Sequence, residues 1–176
     1  MNEEKIIRFD ANLTNFGEVN EGFIRATVDV CTHEQKANGF IFTKDALMAD
    51  MKNWNYVPVV GEYIEEKNDL GTHGGKLIIS DNGVEYVKTT QAFGVVIADT
   101  GRFENIITKN GESQEYFRVD VYLWHETFSK ELEMFNRGEG RPQSMEVKIR
   151  NSEYDFNSDT EFVHAFSPLA LCCLGK

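Results

Sequence analysis

Strict two-residue alternation over residues 144–150 constrains this chain more than any other feature. Met145, Val147 and Ile149 fall on one side, and Ser144, Glu146, Lys148 and Arg150 on the other. That is the periodicity of a half-buried strand and not of a helix. A turn at residues 138–142, with glycine and proline, delivers Ser144 to the first position of the strand. A small hydroxyl is thus expected at a strand mouth, fixed by a rigid backbone and left open by the neighbouring loop, a suitable place for a nucleophile. An ordinary solvated serine has the same pattern, and on pattern alone that is the more frequent case.

The alternation recurs along the chain. Tyr116, Arg118, Asp120 and Tyr122 interleave with Phe117, Val119, Val121 and Leu123, so one face is expected to be buried and the other solvated. Residues 5–9 and 22–30 read as strands, the latter with a slip of register that a bulge would explain. Residues 92–98 form the most apolar segment and read as a central strand, and Pro58 confines residues 56–63 to an edge strand or a strand start. Asn82-Gly83, between two apolar segments, signals a hairpin. Residues 12–20 and 151–159 are polar and read as loops. Two helices are expected. Thr43 would cap residues 44–54, with Leu47, Met48, Met51 and Trp54 on one stripe. Residues 126–137 would place Phe128, Leu132 and Phe135 on another, with Gly138 as the C-cap. The expected fold is α+β: a small, mainly antiparallel β-barrel flanked by helices, in a single domain over residues 1–176.

Charge narrows the function. A net charge of -11 and a pI near 4.8, with no clustered run of Lys and Arg, argue against nucleic acid as the main partner. No apolar run approaches the length of a membrane span, and the acidic Met1-Asn2-Glu3-Glu4 start does not read as a secretory signal. The three cysteines, Cys31 and the adjacent Cys172-Cys173, make no disulfide framework and are expected as reduced, buried thiols. The stop at Leu174-Gly175-Lys176, directly after an apolar stretch, is of the kind expected at a processing or truncation point.

Among the four histidines, His73 stands out. It lies in Gly71-Thr72-His73-Gly74-Gly75, where missing side chains would let another chain approach the ring. A surface-loop histidine is the plain alternative. His164 sits among Phe162, Val163 and Phe166, as a buried histidine would, and an imidazole that orients another histidine is itself partly buried. A serine needs an adjacent general base to act at neutral pH, and Ser144 with His73 as base and His164 as orienter meets that requirement. A metal site is not expected. No Cys-x-x-Cys or His-x-x-x-His spacing occurs, and Cys172 and Cys173, as sequence neighbours, are poorly placed to chelate. Their apolar surroundings should keep the thiols protonated and inert.

Together these segments resemble the prohead (capsid maturation) proteases of tailed bacteriophages, a family related to the herpesvirus assemblins. The resemblance rests on Val57-Pro58-Val59-Val60-Gly61-Glu62-Tyr63, on Gly71-Thr72-His73-Gly74-Gly75, on Arg141-Pro142-Gln143-Ser144-Met145-Glu146, and on the closing segment from Phe162 to Ala170 that contains His164. It covers most of the chain from about residue 20 onward. It implies His73 as general base and Ser144 as nucleophile. The third member is His164 in the assemblin-like pattern, with Glu146 and Glu161 as acidic alternatives. It further implies a serine endopeptidase without a cofactor, acting on capsid and scaffold polypeptides and on itself inside the immature capsid in the host cytoplasm. Neither nucleic acid nor membrane is an expected partner, and a homo-oligomer is among the states it allows. The competing expectation is a non-catalytic assembly or scaffold module on the same fold.

Overall fold

The computed structural model describes residues 5–20, 22–80, 83–108, 110–136 and 140–175, without the side chains of 5–16, 18–20, 80 and 136. The chain runs through β1 (Lys5–Asn20), β2 (Phe23–Cys31), β3 (Phe40–Phe42), α1 (Lys44–Ala49), β4 (Pro58–Gly61), β5 (Tyr63–Ile64), β6 (Asp69–Leu70), β7 (Lys76–Ser80) and β8 (Gly83–Val87). It continues through β9 (Gln91–Val96), β10 (Arg102–Ile107), β11 (Ser113–Leu123), α2 (Glu133–Asn136), β12 (Pro142–Asp155) and β13 (Thr160–Cys173). A 3-10 turn, Met51–Trp54, follows α1.

The expected α+β architecture with flanking helices is overturned. The molecule is mostly β, a curled sheet with two short helices. The apolar stripe expected of the second helix is present, since Leu132 and Phe135 are buried and Phe128 packs against the core. Residues 125–132 nevertheless form turns, held by single bonds such as Phe128 N–H to the Trp124 carbonyl, and helix begins only at Glu133. Helix nucleation is costly, and Thr127, Phe128 and Ser129 do little to offset it. In the first helical segment Thr43 does cap, its hydroxyl accepting from Ala46 N–H at 3.2 Å, but the α-helix lasts six residues before tightening. Two expected loops are strand: residues 12–20 belong to β1, and β12 runs to Asp155 before the turn at 156–159. Residue 82 of the expected Asn-Gly turn and the expected cap Gly138 lie outside the described residues.

Nine strands form the main sheet in the order β10-β11-β2-β1-β12-β13-β4-β9, with β3 added beside β13. The far strand β9 also pairs with β11, so the sheet curls until its path meets itself. Gly94 makes that meeting possible. It lies opposite Leu123, and a Cβ there would stand 2.1 Å from the Tyr122 carbonyl oxygen. Pro58 opens β4, where its missing N–H breaks no ladder within the strand.

Two parallel pairings flank β13. Its first part lies beside β3 and its last part beside β4. Between these contacts the edge of β13 away from β12 has no strand beside it among the described residues. Asp50 accepts from Phe166 N–H at 3.1 Å and Arg150 donates to the Phe166 carbonyl at 2.7 Å, with Asp50 and Arg150 joined at 2.6 Å. The segment linking β3 to β4 covers the gap from inside: Leu47 and Trp54 are fully buried, and Trp54 meets Phe117 and Phe166 at ring distances of 5.8 and 6.3 Å.

Candidate functional site

On β12 the inward side chains are Gln143, Met145 and Val147, all buried, with Gln143 Nε2 donating to the carbonyls of Asp29 and Val30. Ser144 and Glu146 point the other way, as the alternation requires. That outer side was expected to face water. Instead Ser144 has no exposed surface and Glu146 is 5% exposed. The ladder sets Ser144 opposite Cys172 and Glu146 opposite Ala170, and Cys172 and Ala170 are buried too.

The His73 loop contributes to this second, outer polar layer. Its base is pinned on both sides: Gly71 N–H donates to the Glu62 carbonyl at 2.6 Å, and Gly175 N–H donates to the Gly71 carbonyl at 2.9 Å. The glycines after His73 were expected to leave the ring open to another chain. They make room for this chain instead. A Cβ on Gly74 would stand 2.7 Å from Thr90 Cγ2, and one on Gly75 would stand 2.0 Å from the Tyr86 hydroxyl. Gly74 also has a φ of +56°, a backbone conformation that glycine adopts without strain. The loop is thereby packed against β8 and the segment leading into β9, and His73 is half-buried.

One imidazole nitrogen of His73, a carboxylate oxygen of Glu146 and the Cys172 sulfur all lie within 4.8 Å of one another. Lys88 Nζ is 3.0 Å from Glu146 Oε2, with the carboxylate almost wholly buried and the lysine half-exposed. Glu62, whose Oε1 accepts from the Thr89 hydroxyl, adds a further negative charge felt at Cys172. Burial, then the Glu146 charge, pushes the Cys172 thiol up to about 12 against an opposing effect from Lys88, so the sulfur is protonated at neutral pH. Burial also raises Cys31 and Cys173.

His164 and Glu161 take no part in this arrangement. His164 is exposed, with Nε2 3.9 Å from Glu153. It lies eight positions before Cys172 on β13, roughly 26 Å along the strand at about 3.3 Å per residue. It therefore cannot orient the ring of His73. Glu161 is farther still, and accepts a hydrogen bond from Ser152 at 2.7 Å. Of the residues expected to act together, the structure gathers His73 and Glu146 around one point and places Ser144 beside it, across the ladder from Cys172. Cys172, Lys88 and Glu62 were missed. They come from β13 and from the connections before β9 and β5, so no local spacing in the sequence announces them.

A family model for the YonD N-terminal domain matches residues 22–176, nearly the whole chain. The chain belongs to this family. The YonD N-terminal domain carries a phage-related name, and the match gives no evidence of a protease or an assemblin relationship. No curated protein and no solved structure matches the chain.

Proposed function

We propose that the chain is a serine endopeptidase that cleaves capsid and scaffold polypeptides, and itself, during phage capsid maturation inside the immature particle. Ser144 is the nucleophile, His73 the general base and Glu146 the acidic third member. The observation that supports this reading is the arrival of His73, on a glycine-flanked loop, at the one stretch of β12 that carries both Ser144 and Glu146, its ring within 4.8 Å of the carboxylate. In this chemistry His73 takes the Ser144 proton as Oγ attacks the scissile carbonyl. It then returns that proton to the leaving amine, and water hydrolyses the acyl-enzyme. Glu146, paired with Lys88, stabilises the imidazolium between these steps. Since Ser144 is fully buried in the free chain, substrate entry requires a local opening of the structure around it.

Labelling with a fluorophosphonate, read by peptide mass spectrometry, tests the proposal. Ser144 should be modified, and His73→Ala should slow the reaction by orders of magnitude. Glu146→Gln should slow it less. Absence of labelling at Ser144, or an equal rate in His73→Ala, would sink the protease reading. The burial of Ser144 favours a second reading, a non-catalytic assembly module. It predicts no labelling, together with co-assembly of the intact chain with coat or scaffold polypeptides.

A further inference from the structure

We infer that His73, Glu146 and Cys172 form a binding site for a thiophilic divalent transition metal, with zinc as the best match. The donors are one imidazole nitrogen, one carboxylate oxygen and one sulfur, the ligand types zinc takes together. In a tetrahedral zinc site such donors stand roughly 3.3–3.8 Å apart. Here they already lie within 4.8 Å of one another, so closing on a cation needs a movement of about 1 Å per ligand. Two of the ligands are rigid. Glu146 and Cys172 project from neighbouring strands of the same ladder, and both are buried. The third, His73, sits on the loop whose base is pinned by Gly71, and its half-buried ring can adjust by side-chain rotation.

Charge favours the same ligand. Glu146 brings a carboxylate to the cation, and metal binding makes Cys172 a thiolate, its proton leaving to solvent. Lys88 Nζ lies 3.0 Å from one oxygen of Glu146, and its half-exposed side chain can remain there as an outer partner or swing into water. Outer partners of this kind orient ligating carboxylates. The fourth position is left for water. Adventitious surface binding would lack the buried sulfur, and a structural thiol would lack the converging imidazole and carboxylate.

One consequence rests on the protease reading. A cation held by His73 and Glu146 engages the base and its partner together, so zinc should silence Ser144 and a chelator should restore it. The metal site itself does not depend on that reading.

The test is titration of the intact chain with Co²⁺, followed by displacement with Zn²⁺. We expect one cobalt per chain, a sulfur-to-cobalt charge-transfer band, and loss of the band in Cys172→Ala. His73→Gln and Glu146→Gln should weaken binding by more than the roughly 10–100-fold typical of losing an outer partner. A band that survives in Cys172→Ala, or binding with no band at all, overturns the proposal. If Cys172→Ala does not fold, X-ray absorption of the zinc-loaded natural chain decides. One sulfur with nitrogen and oxygen neighbours supports the site; no sulfur, or two, refutes it. Fluorophosphonate labelling of the metal-free chain is scored separately. Labelling that zinc blocks in the natural chain but not in Cys172→Ala establishes the regulatory consequence. Absence of labelling removes only the protease reading, and labelling unaffected by bound zinc refutes only the regulatory consequence.

Discussion

Gly94→Ala is the sharpest test of how this sheet is held closed. The new methyl would lie 2.1 Å from the Tyr122 carbonyl oxygen, 3.0 Å from Leu123 Cδ2 and 3.1 Å from Leu123 Cα. The side-chain contact can be relieved by a rotamer change, but the backbone contact cannot. The first distance is well over 1 Å short of ordinary contact, so β9 must retreat from β11. Two short bonds at this seam are then at risk: Ile97 N–H to the Asp120 carbonyl and Trp124 N–H to the Phe93 carbonyl, both 2.8 Å. Overpacking costs about 1–3 kcal/mol and each lost bond about 0.5–1.5 kcal/mol net. The total is about 2–6 kcal/mol, a large part of the ~5–15 kcal/mol that holds a domain of this size together. Urea unfolding followed by tryptophan fluorescence should show the midpoint falling by about 1 M or more. Gly17→Ala is the control, since nothing among the described residues lies within 4 Å of its added methyl. A Gly94→Ala midpoint within about 0.3 M of the natural chain would refute the argument that the β9–β11 pairing closes the sheet.

His164→Ala should leave fluorophosphonate labelling and stability unchanged, because the ring is exposed and its carboxylate neighbour stands 3.9 Å away; a tenfold loss of labelling would contradict the strand register. Asp50→Ala should destabilise the chain by about 2–4 kcal/mol, since it strips the acceptor from buried Phe166 N–H and the partner from Arg150; a loss under about 0.5 kcal/mol in thermal melts would show that water replaces it. Acid should weaken the β2–β11 face through Asp120. Burial raises its pKa, but hydrogen bonds from Arg25, Arg102 and Thr27 prevail and hold it below the ordinary aspartate value. The stability it adds is complete above the unfolded value near ~3.9 and is lost as pH falls through the folded one. The advantage of the natural chain over Asp120→Asn should therefore shrink below about pH 4, and a pH-independent difference would contradict it. Asp29 carries the opposite sign. Burial raises its pKa against the pull of Arg118, so its ionisation opposes folding as pH rises, and Asp29→Asn should not reproduce the acid effect.

The clearly alternating strands were legible in the sequence because side-chain alternation is a local property of an extended backbone, whereas the polar residues 12–20 and 151–155 hid the rest of β1 and β12. Phe117, Val119, Val121 and Leu123 are fully buried as their spacing requires, and Thr43 caps its helix through its own side chain. Helix length was not legible. The apolar stripe at Phe128, Leu132 and Phe135 is satisfied by turns, because packing against the core rewards those side chains whether or not a helix joins them. Nor was the candidate site. Alternation puts Ser144 and Glu146 on the side away from the core, but cannot say whether that side meets water or another part of the chain. Only the tertiary packing decides this: it buries Ser144 and brings His73 to Glu146. The pairing register of β13 likewise decides that Cys172, and not His164, stands across from Ser144. Such facts arise between segments tens of residues apart, where the physics is that of contact and burial and no periodicity can record it.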